Sequence, residues 1–254
     1  MNKKIKKNLI ALIPARSGSK RIKHKNIVNF YGHPLIAYTI NSAIKSKLFK
    51  KIIVLTDSIK YSKIAKHYGA EVPFIRSKKI SSKNSPDYDW LNLVFKFYKK
   101  KKINFSHYFI LRPTSPFRNS ETIKRAWKKF LNYKSAESLR AIKLVSEHPG
   151  KMWKQKNNFL KPLIKGKVNK QPYYNSQLVN LPKVYVQDAS LEISKVDVIN
   201  KYKTITGKKI LSFHSKNSEG FDINFPIDIL LAKLLIKKKL VKIQKISRRS
   251  FFKS

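Results

Sequence analysis

A short stretch near the N-terminus combines a buried-strand pattern with residues that could bind phosphate. The apolar run 9–14 ends at a proline and leads directly into ARSGSKRIKHKN. Residues 17–19 can present backbone N–H groups to an anion. The cations Arg16, Lys20 and Lys25 can neutralise a polyphosphate. The spacing matches neither the P-loop nor the GxGxxG pattern, so the stretch predicts a phosphate-binding loop of another type, with a flexible solvated loop as the alternative.

The elements that would position this loop alternate between buried strands and amphipathic helices. Strands are predicted at 9–14, 51–57 and 106–116, each followed by a helix pattern. This alternation is typical of βαβ units in a mostly parallel sheet that helices cover on both faces. Ligands of such sheets bind beyond the carboxyl ends of the strands. The second half is less regular, with two short strands expected in 183–194 and one in 220–225.

Other charged residues near these strand ends leave alternatives open. Asp57 could orient the phosphate-binding loop or lie near a metal ion. Arg21, Lys23 and His24 are assigned to solvent. The basic, aromatic tail at 246–254 is expected to be a frayed terminus.

The composition restricts the class of protein. The 254 residues include 57 Lys and Arg against 13 Asp and Glu, for a net charge of +44. Because the lysines are spread along the whole chain, we expect a solvated surface and no specific nucleic-acid face. Apolar runs are too short for membrane insertion. The absence of cysteine excludes disulfides and thiolate sites, and the cytoplasm is the expected location.

Several motifs in one order resemble a known family. ALIPARSGSKRIKHKN is similar to the signature of the acylneuraminate cytidylyltransferases, in the branch that acts on nine-carbon 2-keto sugar acids. Further segments follow in the family's order, and the resemblance extends from about residue 8 to about residue 240. They are VLTDS (54–58), FIR (74–76), ILRPTSPFR (110–118), LPKVYVQDASLEIS (181–194) and GFDINFPID (220–228).

The resemblance implies a fold and a reaction. The fold is a Rossmann-like, three-layer α/β nucleotide-diphospho-sugar transferase domain over 1–254, with a dimerisation insertion around 148–182. The enzyme would join CTP to an acylneuraminate-like 2-keto sugar acid with Mg²⁺, releasing pyrophosphate, for cell-surface glycan synthesis. It would act as a homodimer. The alternatives are a CMP-octulosonate synthetase and a nucleotide- or polyanion-binding homologue with weakened turnover.

The resemblance also assigns roles to individual residues. Arg16, Lys20 and Asp222 would be catalytic, Arg112 and Gln187 would contact the sugar, and Asp222 and Asn224 would bind metal. The nucleotide would contact Arg16, Ser19, Lys20, Lys25, Asn26, Arg76 and Ser85.

The chain departs from the family pattern at several of these positions. Arg112 stands where many members have Gln, and could bind the sugar carboxylate with two hydrogen bonds. Asn224 replaces the second Asp of a DID pattern, although alternation on a strand would still place it beside Asp222. Leu178 and Val179 stand where many relatives have Arg-Gln. Arg118 has a structural or a sugar-side role, and Asp228 is a helix-start carboxylate or a metal ligand.

Overall fold

The chain forms two compact units. The computed structural model of the protein describes residues 8–77, 80 and 85–252. The larger unit contains the residues up to Ala141 and those from Asp188 onward, and the smaller unit is Ile142–Gln187. The smaller unit overlaps the insertion expected around 148–182, and its role in dimerisation stays a prediction. No helix within the described ranges is long and apolar enough to span a membrane.

A six-stranded sheet organises the larger unit. In chain order, the strands of both units in the described chain are β1 (Leu9–Pro14), β2 (Asn29–Phe30), β3 (His33–Pro34), β4 (Lys51–Leu55), β5 (His107–Ile110), β6 (Ser138–Leu144), β7 (Trp153–Lys156), β8 (Phe159–Pro162), β9 (Lys167–Val168), β10 (Gln171–Pro172), β11 (Tyr185–Lys195) and β12 (Ile210–His214). The order in the main sheet is β12-β6-β11-β5-β1-β4. β1 is parallel to β4 and β5, whereas β11 is antiparallel to β5, so the sheet is mixed.

Six α-helices accompany the strands in the described part of the chain. They are α1 (Leu35–Ser46), α2 (Ile59–His67), α3 (Asp87–Lys100), α4 (Ser120–Asn132), α5 (Asp197–Tyr202) and α6 (Pro226–Lys237). Ser58 caps the N-terminus of α2, because its Oγ accepts a hydrogen bond from Tyr61 N. α4 is capped by Asn119, whose Oδ1 accepts from Thr122 N at 2.9 Å.

The side chains of β1 show why the sheet carries helices on both faces. Leu9, Ala11 and Ile13 are fully buried in one cluster with apolar residues of α1, α2 and α4. Ile10 and Leu12 point to the opposite face and pack with apolar residues of α3. This alternation follows from the two-residue period of a strand. The result is the predicted three-layer α/β class.

Two predicted elements differ from the structure. Residues 185–195 form one continuous strand, β11, and not two short ones. The predicted strand at 220–225 is absent: a 3-10 turn over Asn217–Gly220 leads into irregular backbone before α6. This segment is held instead by side chains and by a loop, as described below.

The prediction of a frayed C-terminal tail is wrong for its described part, 246–252. Ile246 and Phe251 pack against the core cluster that contains α1 and α2. Arg248 Nη1 donates to His67 O, and Phe251 N donates to Tyr68 Oη. Ile246 and Phe251 are therefore core contacts, whereas Phe252 is exposed.

The smaller unit is built from short antiparallel pairs. β7 and β8 form a hairpin with Trp153 opposite Pro162, and β9 pairs with β10. His148 has a structural role in this unit: its Nε2 donates to Pro182 O and its Nδ1 accepts from Gly150 N.

Candidate functional site

A cavity of about 650 Å³ lies at the carboxyl ends of β1 and β5. The loop after each strand, the start of α3 and the segment 222–224 line it. Every residue predicted for the site except Gln187 belongs to this lining. These residues are Arg16, Ser19, Lys20, Lys25, Asn26, Arg76, Ser85, Arg112, Asp222 and Asn224.

The loop after β1 is held in place by Asp57, at the end of the neighbouring strand β4. Ser17 N donates to Asp57 Oδ1 at 2.8 Å, and Ser17 Oγ donates to Asp57 Oδ2 at 3.1 Å. Both carboxylate oxygens are therefore used to orient the loop. Of the two roles left open for Asp57, the structure supports the first.

Asn26 and Gly18 shape the same loop in different ways. The Asn26 side chain is buried, and its Nδ2 donates to Arg16 O at 3.0 Å, which closes the loop on itself. A Cβ atom placed on Gly18 would meet no atom within 4 Å. The glycine thus leaves space on the cavity side, where a ligand can approach the backbone closely.

Five cations surround the end of the cavity nearest this loop: Arg16, Lys20, Arg21, Lys25 and Arg76. Arg21, which was assigned to solvent, is exposed and also lines the cavity. Its guanidinium lies over the Phe225 ring, 4.6 Å from the centroid. Phe225 is distant in sequence, so local spacing could not predict the contact.

Arg76 is the most enclosed of these cations, with 5% of its surface exposed. Its backbone N donates to Thr56 O, but its buried Nε has no hydrogen-bond partner in the described chain. Burial lowers the pKa of Arg76, and the nearby carboxylates Asp57 and Asp87 only partly oppose this effect. A buried N–H donor of a charged group is costly when it has no partner, and an anion in the cavity would relieve that cost.

The segment 222–224 is fixed from two sides. Lys25 Nζ donates to Ile223 O at 2.8 Å and to Asn224 Oδ1 at 3.2 Å. Ile223 N donates to Thr114 O in the loop after β5. Asn224 Nδ2 donates to Asp222 Oδ2 at 2.6 Å. Asp222 and Asn224 therefore meet as predicted, although no strand brings them together.

Of the two predicted metal ligands in this segment, Asp222 has an oxygen atom without a hydrogen-bond partner in the described chain, and the metal role of Asn224 stays a prediction. Asp222 Oδ1 is buried at the cavity and has no partner among the described residues. Asn224 Oδ1, which was expected to bind metal, accepts from the Lys25 ammonium. No group of three or more Asp, Glu, His or Cys side chains in the described ranges could hold a metal. Asp228 caps α6 by accepting from Asn224 N and Phe225 N, so it is a helix-start carboxylate.

Arg112 marks the other end of the cavity and is held by two carboxylates. Its Nη2 donates to Asp87 Oδ2 at 2.7 Å and to Glu192 Oε1 at 3.1 Å. Burial opposes the charge of Arg112, but the two carboxylates raise its pKa above the ordinary arginine value. Asp87 Oδ1 also accepts from Trp90 Nε1 at 2.9 Å. The Arg112 contacts lower the pKa of Asp87 although burial acts in the opposite direction.

Glu192 and Arg140 extend this network below the cavity wall, and the sequence analysis did not find them. Glu192 lies on β11 in register with Ile110 of β5, two residues before Arg112. Its second oxygen, Oε2, accepts from Arg140 Nη1 on β6, and Arg140 Nη2 donates to Thr206 Oγ1. The only sequence signal was a charged residue in each of two strands, and nothing linked the two.

Two further predicted residues have different outcomes. Arg118 is fully buried and structural: it donates to Arg112 O, Ser190 O and Thr39 Oγ1. Gln187 belongs to the smaller unit and is exposed. Its assignment to the sugar stays a prediction.

The fold and the cavity together define a class. A three-layer α/β protein with a cation-lined cavity beyond its strand ends is typical of enzymes that bind nucleotides.

The chain belongs to the cytidylyltransferase family, whose profile matches residues 10–247. It is 32% identical to the CMP-N,N'-diacetyllegionaminic acid synthase of Legionella pneumophila, over 90% of this chain and 96% of that protein. It is 36% identical to the pseudaminic acid cytidylyltransferase of Campylobacter jejuni, over 51% of this chain and 55% of that protein. The family resemblance noted in the sequence is confirmed.

Solved structures agree on the fold. A CMP:2-keto-3-deoxy-manno-octonic acid synthetase solved in complex with CTP superposes with a TM-score of 0.66. The superposition covers 91% of this chain and 99% of that one, at 14% sequence identity. The predicted Rossmann-like fold class is thereby confirmed.

Proposed function

We propose that the protein is a cytidylyltransferase that joins CTP to a nine-carbon 2-keto sugar acid, giving the CMP-sugar and pyrophosphate. The observation that carries the proposal is the charge of the cavity, where five cations face one end, one of them a buried arginine whose Nε has no hydrogen-bond partner in the described chain. A triphosphate supplies the matching negative charge. The names of the relatives indicate that the second substrate is a sugar acid.

The reaction is an in-line displacement at the α-phosphorus of CTP. The anomeric hydroxyl oxygen of the sugar acid forms a bond to this phosphorus and releases its proton to solvent water, while the bond from this phosphorus to the oxygen that leaves with the β-phosphate breaks. Negative charge grows on the departing pyrophosphate. Arg16, Lys20 and Arg76 stabilise that charge, because fixed cations in an enclosed site act without reorganisation. No covalent enzyme intermediate is needed.

The nucleotide is positioned by the loop after β1. Backbone N–H groups around Ser19 and the open space at Gly18 suit the approach of a phosphate. Asn26 and Ser85 line the same cavity, and we assign them to the nucleotide. Lys25 has its ammonium directed to the 222–224 segment, so it contributes charge while also holding that segment.

Asp222 would hold Mg²⁺ through its free Oδ1, with the remaining ligands supplied by phosphate oxygens and water. Mg²⁺ is commonly bound by one or two carboxylates together with substrate phosphates. When bound, the ion neutralises charge on the triphosphate. Asn224 stays a hydrogen-bond partner of Lys25 and Asp222 in this assignment.

The sugar acid would lie at the Arg112 end of the cavity. Nη2 of Arg112 is used by Asp87 and Glu192, and an arginine carries further N–H donors in the same plane. A planar carboxylate matches such a donor edge. We therefore assign the carboxylate of the substrate to Arg112. A CMP-octulosonate synthetase is less favoured, since the octonic acid synthetase is only 14% identical to this chain.

The proposal is tested by pyrophosphate release from CTP with Mg²⁺ and a panel of acids. The panel contains N-acetylneuraminic, N,N'-diacetyllegionaminic, pseudaminic and octulosonic acids. We expect turnover with at least one nine-carbon acid, and its loss in Arg16→Ala and Asp222→Ala. Turnover with octulosonic acid alone would select the alternative enzyme. CTP binding without turnover on any acid would indicate a binding protein and contradict the proposal.

We further propose a cytoplasmic homodimer that forms through the smaller unit. This unit exposes many apolar side chains, among them Phe159 at 76% and Val179 at 84% exposure. Contiguous exposed apolar surface is typical of protein interfaces. Leu178 and Val179, which depart from the family pattern, belong to this exposed set.

Light scattering after size exclusion tests the homodimer. The double variant Phe159→Asp and Val179→Asp should shift the mass from dimer toward monomer. Ile59→Asp, at a similarly exposed apolar position in the larger unit, is the control and should leave the mass unchanged. A monomeric wild-type protein at micromolar concentration would contradict the proposal.

A further inference from the structure

Glu192 is the central group of a charge network that ends at the cavity. Its side chain is 4% exposed, and both of its oxygens are occupied by arginines. Oε1 accepts from Arg112, which lines the cavity, and Oε2 accepts from Arg140, which lies deeper in the sheet. Neither Glu192 nor Arg140 is part of the cavity lining.

The network is built so that Arg112 has little freedom. Glu192 is on β11, beside β5, and Asp87 begins α3, so two elements hold one guanidinium nitrogen. Arg140 has a second partner in Thr206, which fixes it in turn. The carboxylates Asp87 and Glu192 balance the charges of Arg112 and Arg140. A donor whose position is set by such supporting contacts binds with less loss of entropy.

We propose that Glu192 is a positioning residue for substrate selection: it holds the Arg112 guanidinium in the orientation that receives the carboxylate of the sugar acid. This inference rests on the proposed function, and it assigns the sugar-acid end of the cavity to a network outside the cavity wall. Arg140 supports Glu192 by occupying its other oxygen. Glu192 itself touches neither CTP nor the sugar acid.

The chemistry predicts a specific effect of Glu192→Gln. The amide has one oxygen and one N–H₂ group, so it can accept from one arginine only and turns donors toward the other. Arg112 loses the contact or the charge that orients it. The Michaelis constant for the sugar acid should rise roughly ten- to hundredfold, because even a small misplacement of a binding group has an effect of this size. The constant for CTP should change less than about twofold, because the nucleotide cations are untouched.

A double-mutant cycle separates positioning from a general structural role. If Glu192 acts through Arg112, then Glu192→Gln adds nothing to the sugar-acid constant of an Arg112→Gln variant. Glu137→Gln is the matched control, since Glu137 is a half-buried carboxylate that accepts from Tyr202 and from backbone N–H groups. The control should leave both constants unchanged. If thermal unfolding shows that Glu192→Gln is not folded, Glu192→Asp gives the same test.

The outcomes distinguish this inference from the proposed function. A folded Glu192→Gln protein with an unchanged sugar-acid constant overturns the inference alone. So does a cycle in which the Glu192 and Arg112 effects multiply. A wild-type protein that releases no pyrophosphate with any acid overturns the proposed function and the inference with it.

Discussion

Two arginines in the wall of one cavity have opposite surroundings. Arg76 is buried with its Nε unpartnered within the described chain, and burial lowers its pKa. Arg112 is more exposed, with 28% of its side chain accessible to solvent, and Glu192 and Asp87 raise its pKa although its burial acts in the opposite direction. Arg76 therefore has charge to offer to an anion from solution. Arg112 is a fixed donor whose charge is already balanced. It is therefore better suited to recognise the planar shape of a carboxylate than to attract an anion by charge.

The largest expected effect comes from replacing Arg76, whose Nε has no partner in the described chain. Arg76→Met should lower kcat/KM for CTP by roughly a hundred- to a thousandfold, since it removes a fixed cation at the site of developing charge. The same variant should unfold at an unchanged or higher temperature, because burial of a cation that keeps an unsatisfied N–H donor costs stability. Pyrophosphate release and thermal unfolding measure the two effects. A large fall in the unfolding temperature would contradict this description of Arg76.

Replacing Arg112, which is held by two carboxylates, should have the opposite effect on stability to replacing Arg76. Arg112→Met leaves Glu192 and Asp87 without their shared cation and should lower the free energy of unfolding by about 3 kcal/mol. Denaturant titration measures this change. Lys51→Met, which breaks the exposed pair with Glu71, is the control and should cost less than about 1 kcal/mol. Equal costs for the two variants would mean that the network does not hold Arg112.

The same contrast shows how far the sequence could be interpreted. The loop after β1 was predictable because a buried strand leads directly into small residues and cations. Arg16, Lys20 and Lys25 were each identified from that local pattern, and Arg76 from the family resemblance. The α/β class followed from strand and helix periods, which the buried side chains of β1 confirm.

The Arg112 network could not be predicted, for a physical reason. Asp87, Arg140 and Glu192 are far from Arg112 in sequence, and only the order of strands and the packing of α3 on the sheet bring them together. The antiparallel register of β11 against β5 is likewise absent from local periodicity. The contact of Arg21 with Phe225 was missed for the same reason. In the 222–224 segment the predicted strand was wrong, although the pairing of Asp222 with Asn224 was right.

A smaller effect is expected at Asp57, which supports the Arg76 end of the cavity. Asp57→Ala removes both hydrogen bonds to Ser17 and should raise the Michaelis constant for CTP roughly tenfold, an amount equal to about one hydrogen bond to a charged group. Asp57→Asn keeps an acceptor for Ser17 N and should be close to wild type. Steady-state kinetics measures the Michaelis constant for CTP in both variants. A severe defect in Asp57→Asn would indicate that the negative charge, and not loop orientation, is what matters.

The smallest effect is a pH dependence at the Arg112 end. The pKa of Asp87 is lowered in the folded protein, so its contribution to stability is present above the unfolded pKa of about 4 and is lost as the pH falls through the folded value. Asp87→Asn keeps the acceptor for Trp90 but lacks this titration. The difference in unfolding free energy between wild type and variant should therefore narrow from pH 5 to pH 3. A difference in unfolding free energy that stays constant over that range would exclude a contribution of Asp87 ionisation to stability.

Calorimetric titration of CTP with Mg²⁺ into wild type, Arg76→Met and Arg112→Met tests the division of the cavity most directly. We predict that Arg76→Met binds CTP at least about a hundredfold more weakly than wild type, as loss of a buried charge contact implies. Arg112→Met should bind CTP within about twofold of wild type, since its arginine is assigned to the sugar acid. Equal weakening of CTP binding in both variants would contradict the assignment of the two ends.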